Sequence, residues 1–254
     1  MTARFEGLSI LVTGACGGLG RAICAAFAAE GGRVFAADLP GAPLEALVSE
    51  LGNGAQALHL DVSDEGQWIA AMDAIEAMAG RVDIVVNNAG VFTPNVPFAE
   101  MPLELWRRHF TVNADGTFLG CKHGILRMGP HGSGAIVNIG SGMSITAVPT
   151  AGAYCASKAA VLMTTKVAAR SAGPQGITVN AVLPGAVPTD MLMGNLRSGQ
   201  GEEELLAGLA TYSAMGRLAS PQDIANAVVM LSAPESRAIT GVAVPVDCGT
   251  LPGS

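Results

Sequence analysis

The 254-residue chain has no cluster of lysines or arginines. With a net charge of −7 it offers little to nucleic acid or to an anionic membrane surface, and neither is expected as a partner. It has no uninterrupted apolar run of the ~18 residues that a membrane span requires. The stretch LSILVTGACGG (8–18) follows Arg4, but Glu6 breaks the basic flank and the run ends in glycines, so it is not read as a secretion signal. Cysteine is sparse: residues 16, 24, 121, 155 and 248 form no C-x-x-C pair and have no histidine at ligand spacing. That excludes a disulfide framework and argues against a structural zinc site, leaving reduced thiols in a cytoplasmic protein as the expectation. The four histidines (59, 109, 123, 131) are dispersed and read as surface or helix-end residues. Repeats, low-complexity tracts and linkers are also missing, so residues 1–254 read as one domain.

What remains is a half-hydrophobic chain with few aromatics and 33 glycines, whose small residues let helices and sheet approach closely. Seven short apolar runs recur at 8–13, 33–38, 55–61, 82–87, 134–140, 177–183 and 241–247. They are nearly continuous rather than alternating, as strands buried on both faces are. Helical spacing fills the intervals at 19–31, 43–51, 64–79, 102–129, 151–172 and 221–232. Strict alternation of strand and helix predicts an α/β fold, a doubly wound parallel sheet of about seven strands covered on both faces. Residues 185–216 are the least regular segment.

Two stretches carry chemistry. TGACGGLG (13–20) joins the first strand to a helix, with Gly14, Gly18 and Gly20 where backbone N–H groups would approach a phosphate. The second strand ends in Asp38, whose carboxylate suits the two hydroxyls of an adenosine ribose and repels a 2′-phosphate. No Lys or Arg lies in the glycine turn and Leu39 follows Asp38, so NAD is favoured over NADP. In YCASK (154–158), Tyr154 and Lys158 lie four apart and share a helix face. That spacing alone also describes a tyrosine packed over a lysine stem.

Jointly, the motifs make the whole chain resemble the short-chain dehydrogenase/reductase family, in its NAD-preferring form. Thr13, Gly14, Gly18 and Gly20 match its T-G-x-x-x-G-x-G, Asn87, Asn88, Ala89 and Gly90 its N-N-A-G, and Tyr154 and Lys158 its Y-x-x-x-K. Ser141, thirteen residues before the tyrosine, Asn113 in VNADGTF, and Pro184, Gly185 and Thr189 complete the set. Gly140-Ser141 stands where Ser-Ser is usual, and Asp247-Cys248-Gly249 where Asp-Gly-Gly is usual.

The resemblance implies a Rossmann-type fold and hydride transfer between NAD and a secondary alcohol or ketone. It makes Tyr154 the general acid/base, Ser141 the group bonding the substrate oxygen, and Lys158 the cation that lowers the phenol's pKa and holds the nicotinamide ribose. Asn113 would kink its helix and hold a water linking Lys158 to solvent. Leu19 lies within the glycine motif. Asp61 and Val62 would meet the adenine, Asn88, Ala89 and Gly90 the ribose side, and Pro184, Gly185, Val187 and Thr189 the nicotinamide end. Segment 190–215 would cap the substrate pocket, with Met191, Leu192, Met193, Leu196, Leu205, Leu206 and Leu209 on one wall and Met143, Ile145 and Val148 on the other. Such side chains suit an apolar or cyclic small-molecule substrate. Leucines 205–209 equally suit packing against the body. Arg197 and Arg217 are candidates for an acidic substrate, with surface roles favoured. A carrier-bound 3-oxoacyl reductase using NADPH is the alternative within the family, and a non-catalytic NAD-binding scaffold the alternative outside it. An enoyl reductase is disfavoured, because related enzymes space their Tyr and Lys more widely. The helices 102–129 and 151–172 carry more apolar residues than one face needs, and the resemblance implies that they pair in a homo-oligomer, a tetramer or a dimer.

Overall fold

The computed structural model describes residues 3–194, 196 and 201–250. The chain runs β1 (Ser9–Thr13), α1 (Gly18–Ala29), β2 (Arg33–Asp38), α2 (Leu44–Leu51), β3 (Gln56–His59), α3 (Glu65–Ala79) and β4 (Ile84–Asn87). It continues through α4 (Leu103–His109), α5 (Gly116–Met128), β5 (Gly134–Ile139), α6 (Gly152–Ala172), β6 (Ile177–Pro184), α7 (Asp190–Met193), α8 (Glu202–Ala210), α9 (Pro221–Ser232) and β7 (Ala243–Val246). All seven expected strands are present in one sheet of order β3-β2-β1-β4-β5-β6-β7, every pair parallel.

The continuous apolar runs resolve into two faces. Side chains alternate along a strand, so Ile10, Val12, Val34, Ala36, Ile84 and Val86 pack with α1, α2 and α9. Their neighbours Leu11, Phe35 and Val85 pack with Trp68, Met72 and Ile75 of α3 and Leu119 of α5. Each large side chain so buried contributes roughly 1.5–3 kcal/mol. Local signals set the ends: the Asp64 carboxylate accepts from Gln67 N–H at the start of α3, Gly80 closes it at φ +83°, and Ser220 and Asp223 cap α9 reciprocally.

The single helix expected over 102–129 is interrupted. Residues Phe110–Asp115 form a widened π-type turn between α4 and α5. Thr117 Oγ1 donates to the Asn113 carbonyl at 2.7 Å, while the Asn113 side chain turns aside to the backbone of Val91. Such insertions place a side chain off the regular helix face. Segment 185–216, read as the least regular, carries α7 and α8.

β1 is flanked by β2 and β4, because the chain builds outward from β1 to β3 and then returns to the other side of β1. A crevice must open at the carboxyl ends of the strands at this reversal, and the site lies there. No described helix is long and apolar enough to cross a membrane.

Candidate active site

The carboxyl ends of the strands border a cleft of about 780 Å³. At one end lies the glycine turn. Gly14 adopts φ +61°, and a Cβ there would sit 2.8 Å from Ala89 Cα. A Cβ on Gly20 would lie 2.1 Å from the Gly14 carbonyl, and one on Gly18 2.8 Å from Thr189 Cγ2. The turn therefore closes only around hydrogen atoms. α1 starts at Gly17 with no side-chain cap and no acidic residue in its first turn, so its leading N–H groups at Gly18, Leu19 and Gly20 are available to an anion in the cleft. Asn88 braces this turn, its Nδ2 donating to the carbonyls of Thr13 at 2.9 Å and Gly14 at 3.0 Å.

Asp38 faces the cleft beyond the turn. Its carboxylate accepts from Cys16 N–H at 2.9 Å and Leu39 N–H at 2.8 Å, which fixes both oxygens. Burial, with the Asp38 charge second, pushes the Cys16 thiol above its ordinary pKa. Asp61 spends Oδ1 on Ser63, and Val62 is held through its carbonyl by Trp68 Nε1 at 2.9 Å. Asp61, Val62, Ala89, Gly90, Pro184, Gly185, Val187 and Thr189 line the same cleft, with Thr189 lying against the glycine turn. The uncapped helix start, the glycine cradle and the carboxylate at the end of β2 fit a dinucleotide, with pyrophosphate on the turn and ribose at Asp38.

Ser141, Tyr154 and Lys158 meet in the middle of the cleft. Ser141 caps a short turn, its Oγ accepting from Met143 N–H at 3.1 Å while Ser144 Oγ accepts from Ser141 N–H at 3.1 Å. Ser144 thus holds the backbone of Ser141. Lys158 is 4 % exposed and donates to the Ile139 carbonyl at 2.8 Å, tying α6 to the end of β5. Its Nζ lies 5.8 Å from the Tyr154 ring centroid. Gly90 permits this approach: a Cβ there would lie 3.1 Å from Asn113 Oδ1 and 3.5 Å from Lys158 Nζ.

Burial governs the protonation balance of the chain's own Tyr154 and Lys158. Tyr154 keeps part of its surface open to the cleft, but the protein packed around it pushes the phenol up to about 12, with a hydrogen bond to Ser141 opposing the rise. Desolvation pulls Lys158 down to about 8. Burial is the largest influence on each group, and it favours the neutral phenol and the neutral amine. Asn113 does not reach the cleft. Its amide is spent on Val91 N–H at 2.8 Å, the Val91 carbonyl at 3.0 Å and Ser157 Oγ at 3.0 Å.

Of the expected pocket walls, Met143, Val148, Met191, Leu192 and Leu209 border the cleft. Ile145 does not: it follows the capped turn and is 56 % exposed. Met193, Leu196, Leu205 and Leu206 do not line it either. Arg217 pairs with Asp223 at 2.9 Å on the surface, and Arg197 lies outside the described residues. Phe92, Arg108 and Thr146 border the cleft without having been singled out from the sequence. Phe92 was discoverable from its place two residues after the N-N-A-G motif.

A dinucleotide cradle joined to a Ser-Tyr-Lys cluster on a doubly wound sheet defines a nicotinamide-linked oxidoreductase architecture. Residues 14–250 match the family model described as enoyl-(acyl carrier protein) reductase, and the chain belongs to the short-chain dehydrogenase/reductase family. It is 38% identical over 250 residues to D-threitol dehydrogenase of Mycolicibacterium smegmatis, covering 97% of this chain and 94% of that protein. It is 36% identical over 243 residues to cyclopentanol dehydrogenase of Comamonas testosteroni, covering 94% and 95%. The crystal structure of 3-ketoacyl-(acyl-carrier-protein) reductase from Brucella melitensis complexed with NADH superposes with a TM-score of 0.89 at 32% identity, covering 96% of this chain and 98% of that one.

Proposed function

We propose that the protein transfers a hydride between NAD and a secondary alcohol or ketone of apolar or cyclic character. The observation that carries this reading is the Ser141–Tyr154–Lys158 cluster in the same cleft as the glycine cradle and Asp38. The Asp38 carboxylate, with no Lys or Arg in the glycine turn and Leu39 after it, supports NAD over NADP. The relatives named for threitol and cyclopentanol support an alcohol as substrate, and the apolar wall of Met143, Val148, Leu192 and Leu209 supports a compact apolar one.

The chain's residues divide the chemistry. A nicotinamide held in this cleft would supply the hydride acceptor and, in its oxidised form, a positive charge. Ser141 Oγ bonds the substrate oxygen and stabilises charge developing there. Tyr154 Oη takes the hydroxyl proton as the adjacent C–H bond breaks, and returns it in the reverse direction. A neutral phenol at about 12 is already the acid that ketone reduction needs. Acting as base depends on the cations beside it, of which Lys158 is the chain's own. Asn113 holds the strap after β4 and, through Ser157, the turn that carries Tyr154.

Exposed Phe118 and Leu126 on α5 and Met163 and Val167 on α6 support a homo-oligomer, a dimer or tetramer. The five free cysteines support a cytoplasmic setting.

Reduced-nicotinamide absorbance across a panel of secondary alcohols and cyclic diols, with NAD and NADP in parallel, tests the reading. Turnover with NAD is expected, and Tyr154→Phe should lower kcat by about 10³-fold. Turnover mainly with NADP would overturn the reading of Asp38. With a 3-oxoacyl thioester as the preferred substrate, the carrier-reductase reading suggested by the Brucella melitensis structure takes its place.

A further inference from the structure

We propose that His109 is a positioning residue for the substrate pocket: it holds the strap between β4 and α4 so that Phe92 stays against the ring of Tyr154. The inference rests on Tyr154 being the proton-transferring group.

The strap runs from β4 to α4, and its Val91 and Phe92 border the cleft. It is fastened at both ends, at Val91 by Asn113 and at Val96, whose N–H donates to the Thr150 carbonyl at 3.1 Å. Among the contacts between these points, Thr93 N–H donates to His109 Nε2 at 3.2 Å. His109 ends α4 and is 0 % exposed. Its other nitrogen, Nδ1, lies 2.9 Å from the Leu105 carbonyl. A carbonyl only accepts and a backbone N–H only donates, so the partners assign the proton to Nδ1 and leave Nε2 as acceptor. Both nitrogens are thereby engaged, and neither is left to exchange a proton with the substrate. His109 acts through placement.

What it places is an aromatic wall. The Phe92 and Tyr154 rings meet edge to face with centroids 4.7 Å apart and planes at 62°. The His109 ring meets Tyr154 at 6.4 Å and 84°. Tyr154 is therefore flanked by two rings, one of which borders the cleft. Phe92 sits one residue from Thr93, so the bond to Nε2 is the strap contact beside that ring and helps to set where it stands. Releasing it lets Phe92 withdraw, widening the pocket and loosening the substrate rather than the cofactor.

His109→Leu removes the acceptor and keeps apolar bulk. His109→Gln supplies an amide oxygen as a replacement acceptor. In the leucine variant KM for the alcohol should rise about tenfold, the weight of one hydrogen bond. The NADH dissociation constant should stay within about twofold and kcat should fall less than KM rises. The glutamine variant should recover most of the loss. Amide exchange at Thr93 should quicken about tenfold in the leucine variant and return toward the parent rate with glutamine. This second readout needs no turnover. Should the leucine variant fail to fold, Phe92→Leu probes the same wall with His109 intact and should raise KM likewise. Unchanged Thr93 exchange, or a kcat loss with parental KM, overturns the inference. A parent enzyme that oxidises no alcohol defeats the proposed function, and Thr93 exchange still decides whether His109 holds the strap.

Discussion

The two ends of the cleft are built from different materials. At the dinucleotide end the chain uses backbone: bare glycines, the uncapped start of α1, and Asp38 fixed by two N–H groups. At the substrate end it uses side chains, among them Met143, Met191, Leu192, Leu209 and Phe92, projecting from a short turn, two short helices and a strap. A backbone site depends on spacing and on the absence of side chains, and it serves one ligand shape. A side-chain site depends on the volume and angle of each residue, and it can be retuned without disturbing the sheet.

The largest effect should come from the backbone end. Gly20→Val would force a Cβ into a position 2.1 Å from the Gly14 carbonyl and 2.7 Å from Ala15 Cα. No flexible neighbour can yield there, so the turn must open. NADH binding, followed by fluorescence titration, should weaken at least about a hundredfold, with a lowered melting temperature from overpacking of roughly 1–3 kcal/mol. A variant that bound NADH normally would show that the cradle is not made by close backbone approach, and the contrast between the two ends would fail.

The same contrast explains how much the sequence disclosed. The sheet and its seven strands were legible because burial on both faces leaves continuous apolar runs. The glycine turn and the Tyr154–Lys158 pair were legible because fixed spacing carries their geometry. The interruption at Asn113 was legible only through the family resemblance, which implied a kink there; helical spacing gave no sign of the π-type turn at 110–115, where Asn113 bonds to Val91, twenty-two residues away. His109, read from the sequence as a surface or helix-end residue, does end α4 but is buried and acts on Thr93 N–H, while Ser144 acts on Ser141 N–H; a pattern of residue types registers neither backbone contact. Ile145 was misplaced because turn geometry, not hydrophobicity, decides which way that residue points.

Between the two ends stands Lys158, and its burial gives a pH signature. Its pKa is drawn from 10.5 to about 8 in the folded chain, so between those values the unfolded chain binds more protons and stability rises with pH. The penalty is complete below about pH 8 and gone above about 10.5, an increment on the order of 3 kcal/mol. Tyr154 works in the opposite sense above pH 10, where its folded pKa of about 12 makes stability fall again. Urea unfolding of the cofactor-free protein should therefore show stability climbing from pH 8 to a maximum near 10, and Lys158→Met should flatten the climb. A climb that survives in Lys158→Met would assign it to another group.

The smallest effect sharpens the comparison most. Leu209→Ala removes three carbons from the cap wall on α8, a helix that carries no buried residue and packs little of the core. Stability should therefore change little. NAD affinity should also hold within about twofold, because none of the backbone contacts of the turn is touched. The alcohol panel should reorder: compact substrates lose contact and bulkier rings gain room, each by roughly 10-fold in kcat/KM for the volume of a few methylenes. Equal losses for every alcohol would mean that Leu209 supports the fold of the cap and does not measure the substrate. An unequal response, with NAD binding intact, would show that the side-chain end can be retuned while the backbone end stays fixed.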